Sequence, residues 1–233
     1  MRFRITAAVI ALMMTGACEY VGPASDPVSR NLSWFDYVEA GGLRDACGPE
    51  ASTRLRFVYN GIYDKQVRTY DLFELSGGRG ANLAAWARGT GDLTQSLMFA
   101  NIFSLWQGKR VVSVLDPLVM ADLAKALDSD QFDESKPAYL RLPSNEFYWI
   151  VAGCLSGRFH ANAWIYPSDR FKALRFPAVL IANDHTGIAF RKAVPVSQRD
   201  DDPTLHQGDN YPLDEVFEIQ LDANRIVSAK GLF

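Results

Sequence analysis

The amino-acid sequence predicts an α+β domain that is β-rich, with an antiparallel sheet built from hairpins and a few short helices. Several segments alternate apolar and polar side chains with a period of two residues, which is typical of strands with one wet face. Clusters of Gly, Asn, Asp and Ser separate these segments at hairpin spacing. Few segments have the helical period, whereas a parallel sheet would need a crossover helix between successive strands.

Residues 31–40 predict a short helix, because Leu32, Phe35 and Val38 recur near helical spacing before two glycines. The next segments alternate like strands, and Asn60-Gly61 predicts the first turn. In the first half of the chain the predicted strands span residues 54–60, 66–75, 81–88, 101–106 (where a helix is the alternative) and 110–115. Between the second and third of these, the glycines from Gly77 to Gly80 predict a hairpin turn.

Asp116-Pro117 predicts the start of the clearest helix in the chain. Asp is a favoured N-cap residue, and Pro fits the first helical position because its missing N–H has no partner there. The following residues, "LVMADLAKAL", repeat apolar side chains at helical spacing.

The second half returns to strands. Residues 147–154, "FYWIVAGC", form a continuous apolar run that predicts a central strand covered on both faces. Ser156-Gly157 predicts a turn into a partner strand over residues 158–166. Further predicted strands span residues 178–182, 188–194, 215–221 and 226–232.

The amino terminus has the layout of a secretory signal. Arg2 and Arg4 precede ten mostly apolar residues, Ile5 to Met14, and small residues follow. A membrane-spanning helix needs about 20 apolar residues, so this run predicts an export signal over residues 1–17 and not a permanent span.

In Thr15-Gly16-Ala17-Cys18 the chain resembles the signal of bacterial lipoproteins, in which small residues precede a cysteine that is acylated and becomes N-terminal. The position occupied by Thr15 is ordinarily Leu or another aliphatic residue. The resemblance implies palmitate on Cys18 and attachment to the lipid bilayer. An ordinary signal cleavage at the same small residues would instead leave Cys18 as a free thiol.

Residues 18–30 predict an extended, lipidated tether, because they are rich in Pro, Gly and Ser and have no apolar period. At roughly 3.3 Å per residue this tether would reach about 40 Å from the membrane. In the lipoprotein pattern, Asp directly after the cysteine favours the inner membrane. Here that residue is Glu19, so the resemblance implies the outer membrane, facing the periplasm.

Residues 31–233 are expected to form a single globular domain. The chain is 48% hydrophobic and 12% aromatic, which suffices for one sizeable core, and its net charge is −3. Loss of Arg2 and Arg4 with the signal makes the mature chain more acidic. Without a basic excess, nucleic acid is not an expected partner.

Cys47 and Cys154 are expected to form a disulfide, because an even pair of cysteines in an exported chain is most simply a cross-link. Two unpaired thiols are the first alternative. The second is a catalytic cysteine with His160, His185 or His206 as its base.

The strand over residues 158–166 offers the best ligand-binding candidates. Its polar face carries His160, Asn162 and Trp164 about 7 Å apart, since alternate strand residues share a face. Such a row would suit a sugar or a peptide, and the alternative is a half-exposed strand packed under a helix.

Other polar motifs indicate turns or solvated loops. Adjacent Asp184 and His185 would make an acid–base pair only if they pointed together, and turn composition explains both. The acidic segment from Ser197 to Glu215 has oxygen ligands for a cation but no EF-hand spacing. No catalytic residues, no metal ligands and no cofactor are assigned from the sequence.

We therefore expect a lipid-anchored envelope protein with a non-enzymatic binding or structural role, whose partner is an envelope protein or a glycan. The alternative is an envelope hydrolase or carbohydrate-acting enzyme that uses carboxylate and histidine groups, which need no linear motif.

Overall fold

The structure, a computed structural model, describes residues 34–63, 65–89, 108–134, 139–198, 218–222 and 225–230. They form two antiparallel sheets and a few short helices, and this confirms the predicted β-rich α+β class. The helices are α1 (Phe35–Glu39), α2 (Gly41–Asp45), α3 (Pro117–Ser129), α4 (Asp169–Lys172) and α5 (Phe176–Ala182).

The larger sheet has six strands in the order β4-β3-β2-β1-β6-β7. They are β1 (Arg54–Gly61), β2 (Gln66–Glu74), β3 (Ala81–Gly89), β4 (Lys109–Leu115), β6 (Phe147–Leu155) and β7 (Arg158–Ile165). All neighbours are antiparallel. The hairpins predicted at Gly77–Gly80 and Ser156-Gly157 are therefore confirmed, and β6 is the buried central strand that its apolar run predicted.

The smaller sheet has three strands in the order β5-β8-β9, formed by β5 (Leu140–Pro143), β8 (Glu218–Asp222) and β9 (Arg225–Lys230). The two C-terminal strands were predicted, and the remaining residues of their predicted ranges, 215–217 and 231–232, lie outside the described residues. Their pairing with β5 was not predicted.

The six-stranded sheet has a core on each side. We call the side of Phe57, Tyr70 and Trp149 the front face, and the side of Val58 and Ile150 the back face. Helices α3 and α5 cover the front face through Leu123, Leu127, Phe176 and Leu180. Helix α1 and the smaller sheet cover the back face through Val38, Leu142, Ile219 and Leu221.

Helix α3 begins as predicted. The Asp116 side chain accepts hydrogen bonds from the backbone N–H groups of Leu118 (2.8 Å) and Val119 (3.0 Å), and Pro117 occupies the first turn. These bonds satisfy two of the donors that a helix start leaves open.

The first predicted turn is shifted. Strand β1 continues through Asn60 and Gly61, and the chain reverses at Ile62. That residue has φ 67°, and its carbonyl accepts from the Gln66 N–H at 3.0 Å. Asn60 stays in the strand because its side-chain amide donates to the carbonyls of Ser144 (2.8 Å) and Glu146 (2.6 Å).

The predicted strand over residues 178–182 is wrong, because these residues belong to helix α5. The Asp130 carboxylate, 46 residues away, accepts from the Phe176 N–H at 2.9 Å and also from the Arg175 N–H, so it stabilises the helix start. Pro177 favours a first helical turn, and Phe176 and Leu180 then share the buried side of the helix. A distant cap and tertiary burial decide this element against its β-branched composition.

The prediction of a strand over residues 188–194 is also wrong, because these residues form no regular element. Three of their carbonyls bind side chains from the sheet beneath. Arg68 donates to Ile188 O, Gln66 donates to Ala189 O at 2.8 Å, and Tyr59 donates to Arg191 O at 2.6 Å. With these carbonyls occupied, the segment has less backbone available for a strand ladder.

Candidate functional site

The predicted ligand row lies on β7, on the front face, but it is not an open groove. Trp164 is 1% exposed and belongs to the front core, and Asn162 is 0% exposed. Only His160 is partly accessible. The three side chains do share one face of the strand, and the alternative of a strand packed under helical structure describes the arrangement better.

Asn162 anchors the end of helix α3 to β7. Its amide donates to the carbonyls of Gln131 (3.0 Å) and Phe132 (3.2 Å), and its own oxygen accepts from the Ala163 N–H (2.9 Å). Gln131 has φ 58°, so the chain turns sharply there. The hydrogen-bonding capacity of Asn162 is thus used within the fold.

His160 lies beside the same turn. Its ring meets the edge of the Phe132 ring at a centroid distance of 5.7 Å. Burial lowers the pKa of His160 below its ordinary value, although the nearby charge of Asp133 acts in the opposite direction. The imidazole is therefore mostly neutral at pH 7, and it can accept or donate a hydrogen bond at the protein surface.

Arg170 of helix α4 completes this cluster, and sequence reasoning missed it. Its guanidinium lies 5.7 Å from the Trp164 ring centroid and 3.4 Å from the Asn162 side-chain oxygen. Desolvation lowers the pKa of Arg170, and the charge of Glu134 opposes that effect. The four side chains of this β7 cluster, His160, Asn162, Trp164 and Arg170, offer one neutral base and one cation, and the carboxylates of Asp133 and Glu134 act on these two groups.

The most heavily buried charges lie elsewhere on the front face. The Arg68 guanidinium on β2 forms an ion pair with Asp184, and the two side chains are 2% and 4% exposed. Arg68 also donates to Gln66 Oε1 at 3.0 Å and to Thr186 Oγ1 at 3.4 Å. We call Arg68, Asp184, Tyr70, Thr186 and Gln66 the front network.

The Asp184 carboxylate is fully engaged in this network. It accepts from the Tyr70 hydroxyl at 2.7 Å and from the Thr186 N–H at 2.8 Å, in addition to Arg68. Burial alone would raise the pKa of Asp184, but the hydrogen bonds from Thr186 and Tyr70 and the charge of Arg68 outweigh it and lower the pKa. Burial, together with the bond to Asp184, raises the pKa of Tyr70.

Asp184 and His185 do not form an acid–base pair. The Asp184 side chain is buried beneath the segment, whereas His185 is exposed. The bond from the Thr186 N–H to Asp184 closes a local Asx-type turn, which agrees with the turn composition of this stretch.

One signal in the sequence pointed to the front network. In "QVRTYDL" the residues Gln66, Arg68, Tyr70 and Leu72 share one face of a strand by their spacing of two. An arginine on the same face as a buried tyrosine and leucine needs an anionic partner, since an unpaired charge is costly to bury. The identity of that partner, 116 residues later, could not be read from the spacing.

The back face carries a second ion pair, between Arg56 on β1 and Asp71 on β2. Arg56 Nε lies 2.7 Å from Asp71 Oδ1, and the two side chains are 18% and 19% exposed. Tyr37 of helix α1 donates to Asp71 Oδ2 at 2.9 Å, and its ring stacks under the Arg56 guanidinium at 3.6 Å. Together these three side chains attach the first helix to the sheet.

Cys47 and Cys154 form a disulfide with a Cα–Cα distance of 5.4 Å. It links the chain just after α2 to the central strand β6, across 107 residues of sequence. On β6 the preceding residue, Gly153, has φ 155°, and a Cβ there would lie 2.1 Å from the Arg54 carbonyl oxygen. Glycine therefore allows β1 and β6 to approach closely beside the disulfide.

Other predicted features lie outside the described residues. These include Cys18 with its signal, the tether, the strand or helix over residues 101–106, and His206 with most of the acidic segment. Within the described ranges, no group of three His, Cys, Asp or Glu side chains is arranged to hold a metal ion. Helices long and apolar enough to cross a bilayer are likewise absent from the described ranges.

The chain matches no protein-family model, no curated protein and no solved structure.

Proposed function

We propose that this protein is a lipid-anchored, periplasm-facing component of the bacterial cell envelope with a non-enzymatic binding or structural role. The anchor is an acylated Cys18, which follows an export signal over residues 1–17. The domain is joined to that anchor by the Pro-, Gly- and Ser-rich tether, and the outer membrane is the favoured location because Glu19 follows the cysteine.

The disulfide between Cys47 and Cys154 is the observation that carries the proposal. Structural disulfides persist in the periplasm and at cell surfaces and are rare in the cytosol, where thiols are kept reduced. This cross-link supports export independently of the signal segment, because it involves residues far from the amino terminus.

The non-enzymatic role is supported by how two of the candidate polar groups, Asp184 and Asn162, are used. Asp184 accepts hydrogen bonds from Tyr70 and Thr186 and forms an ion pair with Arg68. Asn162 binds two carbonyls of the turn after α3. A general acid or base must reach a substrate proton, and the Asp184 carboxylate is already satisfied by the fold.

Metabolic labelling with palmitate tests the anchor. We expect label in the wild-type protein and its co-sedimentation with membranes, and neither in a Cys18→Ser variant. A Cys47→Ser/Cys154→Ser variant is the matched control, because it removes two cysteines but keeps Cys18 and should still incorporate label. Unlabelled wild-type protein that is soluble in the periplasm with a free Cys18 thiol would refute lipid anchoring.

A further inference from the structure

We propose that one corner of the back face, formed by β4, β3, β2 and the start of β1, is a contact surface for the anionic headgroups of the membrane that holds the anchor. This inference rests on the proposed function and adds to it an orientation of the domain. We call this surface the platform, and it consists of Arg54, Phe73, Asn82, Val112 and Val114.

The register of the strands places these side chains on one face. Val114 pairs with Asn82, Asn82 with Phe73, and Phe73 with Arg54. Directly opposed residues of antiparallel strands point to the same side, so the four form a row about 14 Å wide. Val112 belongs to the next row, whose other members are Ala84, Asp71 and Arg56.

The platform is apolar and accessible. Val112 is 61% exposed, Val114 is 66% exposed and Phe73 is 38% exposed. Single exposed apolar residues need no explanation, but three large ones on one sheet face, two on β4 and one on β2 with β3 between them, are typical of an interaction surface.

Among the described residues, most charged groups around the platform are cations, and the exposed Glu74 carboxylate at the end of β2 accepts from the Thr53 N–H at 3.0 Å. Arg54 is exposed, and its guanidinium lies 5.9 Å from the Phe73 ring centroid. Arg110, also exposed, lies two residues before Val112 on the same face of β4, and exposed Arg79 lies in the β2–β3 turn. The carboxylate in the second row, Asp71, is already paired with Arg56. Apolar side chains rimmed by arginines complement a surface of lipid phosphates.

The attachment of the tether brings the platform to the bilayer. The described chain begins at Trp34, which is buried in the back-face core, and helix α1 follows on that same face. Tyr37 of α1 contacts Asp71, which lies in the same row across the sheet as Val112 of the platform. The tether therefore joins the domain on the side that carries the platform.

The short segment between Cys18 and the domain allows a weakly binding platform to orient the domain. Residues 18–34 span at most about 60 Å when fully extended, so an acylated Cys18 confines the domain close to the lipid. Such confinement raises the effective concentration of the membrane for the platform, and a few side chains then suffice to orient the domain.

Vesicle co-sedimentation tests the platform without the anchor. The probe is the mature chain, residues 18–233 with Cys18→Ser, so no acyl chain contributes to binding. We expect it to bind vesicles of equal parts phosphatidylglycerol and phosphatidylcholine more than vesicles of phosphatidylcholine alone. Raising the salt from about 0.05 M to about 0.3 M should release it, because salt screens exposed charges.

Substitutions at the platform should weaken this binding. Phe73→Thr/Val112→Thr/Val114→Thr keeps residues that favour strands but removes apolar surface, and Arg54→Gln removes a cation. For each variant we expect a fall of about fivefold in the bound fraction. Val196→Thr is the control, because Val196 is also 66% exposed but lies in a short 3₁₀ helix outside the platform, and its binding should be unchanged. Thermal unfolding of each variant checks that the fold is retained.

Three outcomes would overturn the proposal. The first is equal binding to both kinds of vesicle, and the second is unchanged binding of the platform variants. The third is a probe that binds no vesicles but forms a dimer, which the triple substitution dissociates. The last outcome would assign the surface to a second copy of the chain. Palmitate labelling reports on Cys18 separately, so a failed anchor and a failed platform are distinguishable.

Discussion

The two faces of the six-stranded sheet are covered in different ways. On the front face, residues 184–191, which we call the front cover, are attached by a buried ion pair, Arg68–Asp184, and by side-chain hydrogen bonds to backbone carbonyls. On the back face, the chain around α1 and α2, which we call the back cover, is attached by the Cys47–Cys154 disulfide and by a partly exposed ion pair, Arg56–Asp71.

Because of this difference, the two covers are destabilised by different conditions. A buried ion pair has to compensate the desolvation of two charges, so it is intolerant of losing either partner. A disulfide acts mainly by restricting the unfolded chain and depends on the redox state of the compartment. The front cover is therefore sensitive to charge, and the back cover is sensitive to reductant.

Removing one carboxylate from each ion pair should give the largest contrast. Asp184→Asn leaves the Arg68 charge buried and poorly compensated, and we expect it to lower the free energy of unfolding by about 3–5 kcal/mol. Asp71→Asn leaves Arg56 with some access to water, and we expect about 1 kcal/mol. Urea denaturation of both variants measures the difference, and equal losses would contradict the contrast between the faces.

Removing the disulfide should have the next largest effect. Because the cross-link closes 107 residues, we expect Cys47→Ser/Cys154→Ser to lose about 2–4 kcal/mol of stability. Reduction of the wild-type protein should give a similar loss, and the double variant should no longer respond to reductant. Fluorescence-detected urea unfolding with and without dithiothreitol measures both. A wild-type protein indifferent to reductant would show that the back cover does not depend on the cross-link.

Acid should weaken the front cover by a smaller amount. The pKa of Asp184 is lowered in the folded protein, so its stabilisation is complete above the ordinary value of 3.8 and is lost as the pH falls through the lower folded pKa. Urea midpoints measured from about pH 6 to about pH 2 should fall less steeply at the acid end in Asp184→Asn than in the wild type. Parallel curves for the two proteins would mean that Asp184 is not a source of the acid sensitivity.

Much of the β-structure could be predicted because its causes are local. Leu55 and Phe57 alternate with polar neighbours, the glycines from Gly77 to Gly80 allow a tight reversal, and Asp116-Pro117 satisfies and shapes the start of α3. The candidate site was predicted less well. His160, Asn162 and Trp164 share a face as expected. No spacing on β7 reveals that the turn at Gln131 and Phe132 engages Asn162, or that Phe176 of α5 packs against Trp164.

The sequence by itself determined most strand periods, the hairpin turns at Gly77–Gly80 and Ser156-Gly157, and the main helix, because these follow from side-chain alternation and capping within a few residues. The tertiary structure decided the elements that depend on distant partners. Asp130 makes residues 176–182 a helix, and Arg68, Gln66 and Tyr59 occupy carbonyls of residues 188–191. The charge of Arg68 finds Asp184 only when β2 and the segment beyond α5 are packed together, since burial and ion pairing are properties of the assembled core.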